Sequence, residues 1–471
     1  MKRPEARIPR LFEMIKKAVP LIAVFIAVAY LSLTALLFIP QPEPSWAEAG
    51  KRYYYVRPDG NDSNSGTIAK PFKTIQKAVD VALAGDTIYI RAGKYRERVV
   101  LKRSGRAGKL ITIRNYPGEV PVIDGAGLKW AGSHTLWGGL IDTNEKSYFK
   151  LIGLTIQNSA AFGIGRQYRS NPKESSHIVV QDCKIYNTLA SGISVIYGKD
   201  IVIDNNIVDY ACNTVKSNQE CLSLSEVDGF AITNNIVRNG TTPPSPKGKG
   251  GEMISVKDGC KNGIVAFNTV YNFQKLGIYL DAYRGRQENI AVYRNVVYQP
   301  KPGLATGIAL GSEKGGVLKK IYLHNNVVYN TQWGFVIAGW GHSGYAHPIT
   351  DIFILNNTCY NINTAGILLT NPDSRNITVK NNILHGRNSW TFPLYATDGA
   401  DAARVKMSHN LIQKHYSKPS KEPYYITGTD YIVTSRPKFA NPPADFRLQP
   451  VSPAIKAGRT LDGEVCNIGA Y

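Results

Sequence analysis

The sequence predicts an all-β fold, a right-handed parallel β-helix, on three observations. The first is an internal repeat. "IVIDNNIVDY" (Ile201), "FAITNNIVRN" (Phe230), "GIVAFNTVYN" (Gly263), "IYLHNNVVYN" (Ile321) and their relatives each run an alternating apolar segment into an Asn. That Asn falls at 206, 235, 268, 295, 326, 357, 382 and 410, a spacing of 25 to 33 residues, and a sustained period of this size marks a solenoid. The second observation is the alternation itself, which has the period of a strand and not of a helix. The third is a further short strand in each repeat, preceded by Gly or another small residue, as in "SGISVIY" (Ser191), "LGIYLDA" (Leu276), "TGIALGS" (Thr306) and "AGILLTN" (Ala365). Two or three strands per repeat, parted by Asn and Gly turns, form a parallel β-helix. A propeller blade would need four strands in about 40–45 residues. Parallel crossovers set the right hand. An inward-bent Asn can bond both the backbone and the Asn of the next coil, roughly 4.8 Å away.

The elements follow in order. Residues 1–49 read as a targeting segment: Lys2, Arg3, Arg7, Arg10, Lys16 and Lys17 precede an uncharged apolar run from Leu21 to Ile39, and "AEA" at Ala47 follows. It is either a cleaved signal peptide or a retained membrane anchor, and both readings put the rest of the chain outside the cytoplasm. Residues 50–100 form an N-terminal cap. Phe72, Ile75, Ala78, Val79 and Ala82 stand at helical spacing, and an amphipathic helix there covers the open end of the first coil. Residues 101–416 are the coils, and the tail, 417–471, packs back on the last of them. Six cysteines (183, 212, 221, 260, 359 and 466) suit an exported chain either as buried thiols or as disulfides, with Cys212 and Cys221 the pair to expect in the second case.

The net charge is +21, and +19 without residues 1–49, which favours a polyanionic partner. There is no Lys/Arg-rich helix, zinc-finger spacing or RNA-binding signature, so the partner expected is an acidic polysaccharide and no nucleic acid. Aligning the short strands by their inward residues (Leu222 and Leu224, Ile254 and Val256, Ile278 and Leu280, Ile308 and Leu310) places outward columns Ser223, Ser255, Tyr279, Ala309 and Ser225, Lys257, Asp281, Gly311. Tyr283 and Glu313 lie one step on, Glu220 and Glu252 share the strand entrance, and Arg284 and Arg286 follow Asp281. This is the densest polar cluster in the repeats. The bland reading of each member is a solvated charge, with Lys257 and Asp281 a surface ion pair. Trp333, Trp340, Tyr345 and Tyr283 offer rings for stacking on sugars, although each is more commonly plain packing.

"YYYVRPDGNDSNSGTIAKPFKTIQKAV" with "AGDTIYIRAGKY" resembles the opening segment of secreted, pectate-lyase-like right-handed β-helix proteins, among them polysaccharide lyases and alginate epimerases, and "DFRLQPVSPAIKAG" with "NIGAY" is similar to their C-terminus. The resemblance spans nearly all of the chain after residue 50. It implies the fold and leaves the reaction open. β-Elimination from a uronic acid needs a cation to neutralise the carboxylate, a base for the C5 proton and an acid for the leaving oxygen. Lys257 is the candidate base, provided that its pKa is depressed. Tyr283 or Arg284 is the candidate acid, and Glu220 with Glu252 the candidate calcium site. Asp281, Glu313, Arg286 and Tyr279 are the candidate substrate contacts. In the family of chondroitinase B and alginate lyases, a Glu-x-Glu-x4-Lys run supplies two calcium ligands and the base. "GGEMISVK" is similar to it at Glu252 and Lys257 and departs from it at Gly250. The expected function is therefore a polysaccharide lyase or epimerase on acidic glycans. The alternatives are a glycoside hydrolase using Glu220 and Glu252, and a non-catalytic glycan-binding solenoid.

Overall fold

The computed structural model describes residues 51–130, 136–166, 170–213, 220–240, 251–341, 344–388, 391–413, 430–433 and 436–470. The expected targeting segment and Gly250 lie outside them. Among the described residues no helix is long and apolar enough to cross a membrane. The chain divides into two units. In the first, Met1–Lys51 with Arg459–Glu464, the described part is Lys51 and a turn closed by Thr460 N donating to Glu464 O at 2.8 Å. The second, Arg52–Gly458 with Val465–Tyr471, is a parallel β-solenoid.

Each coil uses three strands. Glu252–Lys257 turns at Asp258 and Gly259 into Lys261–Ala266, which bends at Phe267 and Asn268 into Thr269–Phe273. Leu276–Asp281 then begins the next coil directly over Glu252–Lys257, with Ile254 opposite Ile278 and Val256 opposite Leu280. These inward residues are fully buried, as the alternation requires. The ladder already starts at Tyr53–Val56, which pairs with Thr87–Ile90. The helix Ile75–Val81 lies against these first strands and buries Ile75, Ala78 and Val79. Its N-terminus is capped by Thr74, which accepts from Lys77 N, and by Glu97, which accepts from Ile75 N and Gln76 N at 2.9 Å each.

All eight repeat Asn residues are buried and form a ladder. Asn268 Nδ2, for example, donates to Ile232 O of the preceding coil at 2.9 Å and to Asn295 Oδ1 of the next at 3.0 Å. The residue before each ladder Asn is left-handed, with φ between 53° and 59°. That conformation turns the chain inward, and five of the eight positions hold Asn, which tolerates it.

The tail does not simply close the last coil. Phe439, Phe446, Ala454, Ile468 and Ala470 pack laterally against Val327, Tyr329, Ile383 and Leu411, and Phe446 covers the rings of Tyr329 and Tyr360. Tyr271, Tyr298, Tyr329 and Tyr360 form an outward column on this sheet, and the tail shields its Tyr298, Tyr329 and Tyr360 end. All six cysteines are free thiols, so Cys212 and Cys221 are not bridged.

Candidate functional site

The outward columns run as the alternation predicts. Ser223, Ser255, Tyr279 and Ala309 are successive partners, as are Ser225, Lys257, Asp281 and Gly311. Glu220 stands opposite Glu252. Beyond these coils the columns continue through Val336, Leu368 and Tyr395, and from Thr306 through Trp333, Ala365 and Phe392.

Lys257 and Glu220 form the central ion pair, Nζ to Oε1 at 3.0 Å, with both side chains mostly buried. The expected partner was Asp281. The lysine instead reaches back along its own strand to the carboxylate at the entrance of the preceding coil. Burial alone would lower the Lys257 pKa, but Glu220, Glu252 and Asp258 outweigh it and raise the pKa, so the side chain is held as the ammonium. This is opposite to the depressed pKa that a lysine base requires. Glu252 is the counterpart. Burial first, then repulsion from Glu220, pushes its pKa up to about 8, offset in part by Lys257 and Ser255. Its Oε2 is buried and lacks a hydrogen-bond partner among the described residues.

Asp281 is pushed up to about 7 by burial and by Glu313, against the pull of Tyr283 N, Lys257 and Glu313 N. Its Oδ1 accepts from Tyr283 N at 2.8 Å and from Glu313 N at 3.4 Å. Tyr279 donates its hydroxyl to Glu313 Oε1 at 2.8 Å. It does so by laying its ring across Gly311, where a Cβ would stand 2.2 Å from the Tyr279 hydroxyl. The glycine is therefore what lets a residue of one coil orient a carboxylate of the next. Ser225 Oγ donates to Asp258 Oδ2 at 2.7 Å, a contact that sequence spacing did not flag because Asp258 sits in the turn and not in a column.

Glu220, Glu252, Lys257, Tyr279, Asp281 and Glu313 thus share one face. Tyr283 and Arg284 stand in the turn after Asp281, where the Tyr283 ring lies between the Arg284 guanidinium at 5.6 Å and the Lys314 ammonium at 5.1 Å. Arg286 is not brought to the face; it pairs with Glu288 at 3.1 Å on the neighbouring sheet. For calcium, Glu220 and Glu252 offer two carboxylates, of which Glu220 is already paired with Lys257. Among the described residues no group of three or more His, Cys, Asp or Glu is placed to hold a metal ion, so the described ligand set does not fit a resident cation by itself.

Comparison with known proteins agrees with this architecture. The family model for the Pel9A-like right-handed β-helix region matches residues 54–242, and that for the right-handed β-helix region matches 171–348. The uncharacterized protein YwoF of Bacillus subtilis is 30% identical over an alignment taking in 90% of this chain and 96% of YwoF. The chain belongs to the pectate-lyase-like right-handed β-helix family. A second relative of this pectate-lyase-like chain, pectate lyase PEL9 of Emericella nidulans, is 46% identical over 125 residues, 25% of this chain and 30% of PEL9. Among solved structures, XylC in complex with xylose superposes with a TM-score of 0.52 at 14% identity, over 82% of this chain and 87% of XylC, a likeness of β-helix fold.

Proposed function

We propose that the chain is an exported carbohydrate-active enzyme that cleaves an acidic, uronic-acid-containing polysaccharide on the face of Glu220, Glu252, Lys257, Tyr279, Asp281 and Glu313. One observation carries this reading: a mostly buried Lys257–Glu220 ion pair at 3.0 Å beside Glu252 and Asp281, whose pKa values burial raises to about 8 and about 7. The ammonium offers a counter-charge to a uronate. A carboxyl with a pKa near the working pH is suited to protonate a leaving glycosidic oxygen.

The favoured reaction is hydrolysis. Glu220 and Glu252 are register partners on adjacent coils, ~4.8 Å apart at the backbone, which sets two carboxyl side chains next to each other as a retaining mechanism needs. Glu252 is the proton donor, and Glu220, paired with Lys257 at 3.0 Å, is the nucleophile. Asp281, Glu313 and Tyr279 bind the sugar beside them. β-Elimination is the second reading, favoured by the pectate lyase relative. It requires Lys257 to surrender a proton that Glu220, Glu252 and Asp258 hold in place. No step in either reading is routed through a cation.

The test incubates the full chain with polygalacturonate, alginate and glycosaminoglycans, with and without calcium. New reducing ends without ultraviolet absorbance from unsaturated products are expected, with Glu252→Gln slower by about 10²–10⁴-fold and Lys257→Ala impaired in binding. Unsaturated products would establish the second reading. No product from any of these polymers would remove both.

A further inference from the structure

Along the paired columns of this face charge ends at one coil, and Glu313 lies outside those columns, in the turn after Thr306–Gly311. Up to Leu276–Asp281 the outward columns carry Glu220, Glu252, Lys257 and Asp281. In the next four coils the continuing positions are Thr306, Ala309, Trp333, Val336, Ala365, Leu368, Phe392 and Tyr395, without a charge among them. Tyr279, Ala309, Val336, Ala338 and Leu368 are buried here although the alternation turns them away from the solenoid core; with Leu276 they form a separate apolar cluster, against which the partly buried Trp333, Trp340 and Tyr395 pack. Tyr279 belongs to both halves. It donates to Glu313 on the polar side, and its ring centre lies 6.0 Å from that of Trp340 on the apolar side. The aromatic surface is therefore continuous with the carboxyl cluster along the direction in which the coils stack, and four coil steps extend it by ~19 Å.

We infer that this aromatic stretch is a subsite for uncharged sugar residues of the same polysaccharide, so that the substrate joins an acidic residue to neutral ones. The inference rests on the reading of the polar face as a glycan-cleaving site. A uronate placed over Val336 and Leu368 would lose water and meet no counter-charge. The apolar face of a neutral hexose or deoxyhexose buries favourably against Trp333, Trp340 and Tyr395. A homopolymer of uronic acid would match only the Lys257 half of the face. The charge boundary between Asp281 and Ala309 thus becomes a boundary between sugar types.

Binding is measured apart from turnover, by calorimetry and tryptophan fluorescence, on the full chain carrying Glu252→Gln. The two probes are an oligogalacturonate and an oligosaccharide of equal length alternating a uronate with an uncharged deoxyhexose. The alternating probe should bind about tenfold tighter. Trp340→Ala, in the loop after Trp333–Ile337, and Trp333→Leu should each bring the ratio of the two affinities close to one, with circular dichroism confirming the fold. Equal affinities in the parent chain, or failure of both probes to bind, would overturn the inference. So would tryptophan substitutions that weaken both probes by one common factor. A chain that shows the preference without cleaving either glycan would uphold the subsite and remove the proposed reaction. Cleavage without the preference would do the reverse.

Discussion

Glu252 and Glu288 are the same residue type with opposite behaviour, and position alone separates them. Glu288 is partly buried on the strand Arg286–Tyr293, and its hydrogen bond to Arg286, with help from Lys319, lowers its pKa. Glu252 is buried beside Glu220 and titrates at about 8. The consequence for stability has a definite sign. Between the ordinary carboxylate value of ~4 and the raised values, folded Glu252 and Asp281 keep protons that the unfolded chain has released. Their contribution is full below ~pH 4 and is lost as pH rises through about 7 for Asp281 and about 8 for Glu252. Thermal melts should therefore shift downward across that window. The Glu252→Gln, Asp281→Asn double variant should flatten the decline, and an unaltered slope would show that these groups are not the buried acids. That both residues belong to one cluster was legible in the repeats, with Glu252 at a strand entrance and Asp281 in an outward column. Their protonation was not, because it depends on burial by residues from other coils.

At the level of the element, the Asn ladder does what each isolated strand cannot. A lone three-residue strand such as Val296–Tyr298 has too few hydrogen bonds to hold itself. Asn295 ties it on both sides: Nδ2 donates to Val265 O at 2.8 Å and to Asn326 Oδ1 at 2.9 Å, while its Oδ1 accepts from Asn268 N at 3.0 Å. Replacing Asn295 by Leu would orphan buried groups in two coils. It should cost about 3 kcal/mol or more in urea unfolding, whereas a loss below about 1 kcal/mol would mean that the ladder is not a principal fastening. The ladder was readable because one residue type recurs every 25 to 33 residues in the same apolar context. The pairing of Lys257 was not readable, because a four-carbon stem reaches Glu220 or Asp281 equally well on sequence distance. The position of Arg286 was misread for a related reason: it opens the strand Arg286–Tyr293 and faces Glu288 two residues on, so the turn carries it off the polar face.

For the molecule as a whole, the excess of positive charge and the acidic cluster act on different length scales. The net charge of +19 beyond residue 49 sets a long-range field of the sign that favours a polyanion, while the proposed face holds Lys257 among carboxyls. The apparent affinity for an acidic polymer should fall steeply as salt rises from 0.05 to 0.5 M, roughly in step with the shrinking screening length, and that for a neutral oligosaccharide should stay flat. Equal salt responses would argue against charge as the recruiting force. The sequence by itself determined the solenoid and the composition of its outward columns. A repeat and a two-residue alternation are local patterns, and stacking identical coils converts them directly into position. Only the tertiary structure decided which charges meet, which carboxyls keep their protons, and where the tail and the aromatic layer cover the sheets. Those outcomes follow from side-chain reach and from water excluded by neighbouring coils, and neither is a property of any one stretch of chain.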